Sequence, residues 1–123
     1  PKALSLDRPR QLAFVRTTLI SILSEYNVRK AGIRLTENNA RTCNVDRLNT
    51  EGVLLELLAN SAIERYFTGP INTIASLIGE PPQTVRQYFE GEIPFPGFHD
   101  WKKRYKSREV RESIVTAVAA LEL

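Results

Sequence analysis

Four neighbouring side chains between positions 83 and 87 have the chemistry to contact nucleic acid. The glutamines at both ends of this stretch carry amides that can bond adenine through two atoms, and Arg86 carries a guanidinium that can do the same with guanine. Thr84 adds a hydroxyl that can bind a phosphate and a methyl group that can contact thymine. Such a set can act together only if one element points all four side chains the same way.

A helix followed by a tight turn is predicted from Ile71 to Gly79. Apolar residues at positions 71, 74, 75 and 78 have the spacing that places them on one helical face. Three residue types at fixed positions then suit a corner between two helices. Ala75 lets a second helix pack closely, Gly79 can take the positive φ of the turn, and Val85 fills the seam.

The second helix of this corner is predicted from Pro82 to Glu90. Val85 and either Tyr88 or Phe89 are expected to face inward. The outward side chains near the amino end, which is the part of a reading helix that meets base edges in the major groove, are then Gln83, Thr84, Arg86 and Gln87.

The segment from Ile71 to Pro96 resembles the helix-turn-helix of the lambda repressor and Cro class. In that class the second helix is often followed by a bulky residue, a polar residue, glycine and a proline-bearing loop, here Y-F-E-G-E-I-P-F-P. The resemblance implies that the outer face of the second helix contacts DNA, through Gln83, Arg86 and Gln87. It favours a sequence-specific transcriptional regulator of bacterial, plasmid or phage type.

A run of basic residues follows this segment. The chain has a net charge of +3, and six of its 17 lysines and arginines lie between Trp101 and Arg111. Beside a helix-turn-helix, such a run is best interpreted as a surface that binds DNA phosphates. The residues predicted to do so are Lys102, Lys103, Arg104, Lys106 and Arg108.

Aromatic residues alternate with these cations, and their role has two interpretations. Phe95, Phe98, Trp101 and Tyr105 could stack on bases while the cations bind phosphates. Alternatively, the rings are buried and only the cations face outward. The helical spacing of Trp101 and Tyr105 favours burial.

Helices are predicted on both sides of this central segment. Asp7 can cap a helix that runs to about Tyr26, and the stretch from Gly32 to Thr50, which is rich in asparagine, is expected to be mostly loop. Another helix is predicted from near Glu51 to Phe67, ended by Gly69 and Pro70.

The last helix is predicted to begin at Ser107, a residue that can cap it. Its inward residues are expected to be Val110, Ile114, Val118 and Leu121, with Ala117 beside them. No alternating pattern typical of a strand is found. The predicted fold is therefore all-α, with five to six helices around the helix-turn-helix, an N-terminal helical arm in residues 1–48 and the DNA-binding domain with its C-terminal helix in residues 49–123.

Few residues suggest catalysis. Cys43 and His99 are the only cysteine and histidine, so one chain offers neither a disulfide framework nor a four-ligand zinc site. A cysteine nucleophile would need His99 as its base, and nothing in the sequence places the two together. We expect no enzyme activity, no metal and no cofactor.

Location and partners complete the prediction. The sequence has neither a long apolar run for a membrane span nor the apolar core of a secretory signal, which favours the cytoplasm. Double-stranded DNA is the expected partner. A homodimer on a two-fold symmetric site is expected too, through the helix from Arg10 to Tyr26 or the helix from Arg108 to Leu121, either of which could instead bind another protein. A replication, partition or DNA-packaging factor, and a helical adaptor or assembly protein that does not bind DNA, are the alternatives.

Overall fold

The computed structural model describes residues 7–34 and 45–123. Within them the chain is mostly helical, as predicted, with two short strands. The elements in order are α1 (Arg8–Glu25), β1 (Lys30–Arg34), α2 (Val45–Leu58), β2 (Arg65–Gly69), α3 (Ile71–Ile78), α4 (Pro82–Glu90), α5 (Trp101–Arg104) and α6 (Arg108–Ala120). Cys43 and the middle of the predicted loop lie outside the described residues.

The chain divides into two compact units. Among the described residues, the first unit comprises 7–29 and 45–64 and contains α1 and α2. The second unit comprises 30–34 and 65–123 and contains both strands and the remaining helices. Each unit thus combines two separate stretches of the chain, and the predicted boundary after residue 48 falls within α2.

In the first unit, α1 and α2 lie side by side and parallel. Arg8 at the start of α1 donates to the carbonyl of Asp46, and Arg16, two turns later, donates to Glu56 Oε2 at 2.7 Å. The partners follow the same order along both helices, which gives their relative direction. The start of α1 is as predicted, because the Asp7 carboxylate accepts a hydrogen bond from Arg10 N at 3.0 Å.

The second unit contains a small two-stranded parallel sheet, which the all-α prediction did not include. Lys30 pairs with Arg65 at one end of the sheet and Arg34 pairs with Gly69 at the other. Parallel strands need a long connection, usually a helix, and α2 lies in the connection here. This pairing joins residues remote in the sequence, which no local pattern reveals.

Two predicted elements have different bounds in the structure. The predicted loop from Gly32 to Thr50 begins within β1 and ends within α2, which starts at Val45 rather than near Glu51. The helix predicted to reach Phe67 stops at Leu58, and residues 65–69 form β2 instead. Gly69 accordingly ends a strand, with φ of 156°, and is not the left-handed residue after a helix.

The two helices predicted between residues 71 and 90 are present, with Gly79 in the turn between them. Gly79 links α3 to α4 with φ of 73° and ψ of 30°, a left-handed conformation that glycine adopts without strain. Ala75 is buried, and Val85 is 0% exposed. Tyr88 and Phe89 both point inward, where the sequence left a choice between them.

Helix α6 turns a different face inward from the one predicted. Ser107 caps it as expected, accepting a hydrogen bond from Val110 N at 3.0 Å. Val110 and Leu121, however, are exposed and Ala117 faces outward, whereas Ile114 and Val118 are partly buried. The buried residues are Arg111, Val115, Thr116, Ala119 and Ala120. Arg111 can lie on the buried face because its guanidinium donates to the carbonyls of Phe89 and Tyr105.

Candidate nucleic-acid interface

Helix α4 presents the four predicted base-reading residues on one side. Gln83 and Arg86 are exposed, and Thr84 and Gln87 are half-buried. On the opposite side, Val85 and Phe89 are 0% exposed, which fixes the rotation of the helix. Within the part of the chain that the structure describes, none of the four side chains forms a hydrogen bond or ion pair. Their donors and acceptors are therefore available to another molecule.

The amino end of α4 has few donors for an anion. Pro81 is the N-cap residue and Pro82 is the first helical residue, so neither supplies an N–H group. Helix amino ends usually bind phosphate through such groups together with the helix dipole. A phosphate bound near α4 would therefore be held mainly by side chains.

Four cations that could bind phosphates lie on α5 and just after it. We call them the basic segment, and they are Lys102, Lys103, Arg104 and Lys106. All four are exposed, and no residue in the described ranges forms an ion pair with them. Their charges are thus uncompensated at short range, which is the condition for attracting a polyanion.

Arg108, the fifth predicted phosphate ligand, has carboxylate partners. Its Nε lies 2.5 Å from Glu90 Oε1 on α4, and its Nη1 lies 3.1 Å from Glu112 Oε2. The hydrogen bond to Glu90 is the main reason that the pKa of Arg108 is raised. The pair also compensates Glu90, an acidic residue at the end of α4 that would otherwise repel a phosphate.

The aromatic residues around the basic segment are packed against one another. Trp101 is 2% exposed, Phe95 is buried, and Phe98 and Tyr105 are half-buried. Their ring centroids lie within 6.0 Å of neighbouring rings in the cluster. Burial, rather than stacking on bases, is therefore the interpretation that the structure supports. Burial, together with the charge of Glu80, also raises the pKa of Tyr88, whose ring contacts Phe95.

Arg111 is a residue whose role the sequence did not predict. It was one of several cations in a basic run, yet its side chain is buried and donates to two backbone carbonyls, Phe89 O at 2.7 Å and Tyr105 O at 2.6 Å. A signal was present in the spacing, because Arg111, Val115 and Ala119 recur every fourth residue on one face of α6.

The protein is mostly helical, and α4 directs outward amide, hydroxyl and guanidinium groups that have no hydrogen-bond or ion-pair partner among the described residues. No known protein family, curated protein or solved structure matches the chain. His99 is exposed, and no three acidic, histidine or cysteine side chains within residues 7–34 and 45–123 are grouped to hold a metal ion. None of the described helices is long and apolar enough to cross a membrane.

Proposed function

We propose that this protein binds double-stranded DNA in a sequence-specific manner and regulates transcription. In this proposal α3, the turn at Gly79 and α4 act as a helix-turn-helix, with Gln83, Thr84, Arg86 and Gln87 reading base edges in the major groove. The observation that carries the proposal is the outward polar face of α4, whose four side chains, like the cations of α5, have no hydrogen-bond or ion-pair partner among the described residues.

The two groups of residues have different roles. Contacts to base edges carry sequence information, whereas contacts to phosphates hold the protein on any sequence. We assign the phosphate role to the basic segment. Arg108 is proposed mainly to hold Glu90 and Glu112, since both carboxylates already bind its guanidinium.

The same interface would serve a replication, partition or DNA-packaging factor that recognises a site and recruits another protein. A helical adaptor of another class would use α4 to bind protein instead. Salt separates these classes, because counterion release makes DNA affinity fall steeply with ionic strength. An adaptor predicts little salt-dependent affinity for DNA.

The test is fluorescence anisotropy against a library of genomic fragments at two salt concentrations. We expect one fragment to be preferred. Arg86→Ala should then reduce discrimination at about one base position, at a cost of roughly 1 to 3 kcal/mol. Arg65→Ala, which removes an exposed arginine from β2, is the matched control and should leave discrimination unchanged. If the protein prefers no genomic fragment and also fails to bind mixed-sequence DNA at low salt, the proposal of DNA binding is contradicted.

We further propose that the protein acts as a homodimer on a two-fold symmetric site, because one short reading helix gives limited specificity. The exposed apolar residues favour α1 over α6 as the contact. Phe14 and Ile22 on α1 are 40% and 42% exposed, and Tyr26, the residue after its last turn, is 70% exposed. On α6 the face centred on Val115 is already occupied by its own core.

The dimer contact can be tested by sedimentation equilibrium with two matched double variants. Phe14→Gln with Ile22→Gln should weaken self-association by at least about tenfold, the equivalent of 1.4 kcal/mol. Val110→Gln with Leu121→Gln changes two exposed apolar residues of α6 and its end, and should have little effect. The reverse pattern would assign the contact to α6, and a monomeric unmodified protein would exclude the dimer.

A further inference from the structure

The carboxyl end of α4 is joined to α5 by the buried indole of Trp101. Its Nε1 donates to Tyr88 O at 2.7 Å. Tyr88 belongs to the last turn of α4, and its carbonyl also accepts a hydrogen bond from Gly91 N at 3.1 Å. Trp101 is the first residue of α5, so the indole hydrogen bond connects the proposed reading helix directly to the helix that carries Lys102 and Lys103.

Arg111 on α6 adds a second connection between the same elements. Its Nε donates to Phe89 O at the end of α4, and its Nη1 donates to Tyr105 O just after α5. One guanidinium therefore holds both chain segments. Hydrogen bonds from a charged donor are roughly twice as strong as neutral ones. The side chain is 5% exposed, so Arg111 itself is not placed to bind a phosphate.

Close packing at Gly91 keeps α5 against the end of α4. Gly91 follows α4 with φ of 73°, and a Cβ added there would lie 2.9 Å from Lys102 Cγ. A larger residue there would have to displace the Lys102 side chain. The position of the basic segment relative to α4 thus rests on the buried contacts of Trp101 and Arg111 as well as on the loop between the two helices.

We infer that Arg111 is a positioning residue for DNA binding, which holds the basic segment at a fixed position relative to the reading helix. This inference rests on the proposed function. Without Arg111, the end of α5 loses its bond to α6 and the end of α4 loses a charged cap. The four cations of the basic segment are then no longer held where they can contact phosphates while α4 occupies the groove. Binding must order them first, and this ordering costs free energy that the intact protein does not spend.

The test measures the salt dependence of DNA affinity for Arg111→Met by anisotropy, well below the unfolding temperature of each variant. The slope of log affinity against log salt should become shallower by about 0.9 for each phosphate that the variant no longer binds. Discrimination at the base read by Arg86 should remain, since Ala75 and Val85 still pack α4 against α3. A purely structural role for Arg111 would lower the melting temperature without changing the slope.

Two further variants keep the test decisive. Arg111→Lys retains a cation that can donate to one of the two carbonyls, and should restore part of the slope. Trp101→Phe keeps an aromatic ring but removes the indole donor, and should make the slope shallower by a smaller amount. If Arg111→Met and Trp101→Phe fold and keep the full slope of log affinity against log salt, the inference is overturned and the proposed function still stands. Absence of salt-dependent DNA binding by the unmodified protein would overturn the proposed function as well.

Discussion

Replacement of the whole basic segment by glutamine is expected to weaken binding to every DNA sequence by at least about a hundredfold at low salt. Neutralised phosphates release counterions, so removing four phosphate-binding cations should make the slope of log affinity against log salt shallower by about 3 to 4. The preference among sequences should persist, because the residues on α4 that read bases are unchanged. Anisotropy titrations at several salt concentrations measure both quantities.

The matched control removes the same charge from elsewhere. Arg10, Arg29, Lys30 and Arg65 are all exposed, and replacing them by glutamine changes the net charge equally. A control that weakens binding as much as the basic-segment variant would show that overall charge, and not this surface, attracts DNA.

Single replacement of Lys103 by alanine should weaken all sequences alike, with a slope change of about 0.9.

Phe89→Ala is expected to lower the free energy of unfolding of the second unit by about 3 to 5 kcal/mol. Phe89 is 0% exposed and lies in the core shared by α3, α4 and α6. Its ring is also flanked by the guanidinium groups of Arg34 and Arg108, each 5.7 Å from the ring centroid. Truncation leaves a cavity and removes these interactions together.

Fluorescence can follow this transition in one unit. Trp101 is the only tryptophan of the chain and lies in the same core, so its emission reports unfolding of the second unit during a urea titration. Leu121→Ala, a truncation at a residue that is 67% exposed, is the control and should cost less than about 1 kcal/mol. Equal effects of the two replacements would contradict the burial of α4 against this core.

Several parts of the candidate site were predictable because they depend on neighbours in the sequence. The spacing of Ile71, Ile74 and Ala75 and the position of Gly79 are enough to predict two helices and the turn between them. The outward placement of Gln83 and Arg86 follows once Val85 is inward. The capping residues and the apolar spacing also predict α1 after Asp7 and α6 after Ser107.

Other features depend on contacts between remote residues. The stretch from Arg65 to Gly69 becomes a strand because it pairs with Lys30 to Arg34, and its aromatic residues are equally compatible with a helix by local spacing. Arg108 and Arg111 look alike in a basic run. Only their surroundings distinguish a guanidinium held by Glu90 and Glu112 from one that bonds two buried carbonyls.

The sequence by itself therefore determined the helical corner, its polar outer face and the presence of nearby cations, because residues three or four positions apart share a helical face. The tertiary structure alone decided which cations remain available, which face of α6 is buried, and that a parallel sheet adjoins the corner. These depend on hydrogen bonds and packing between elements far apart in the chain, which local periodicity by itself does not determine.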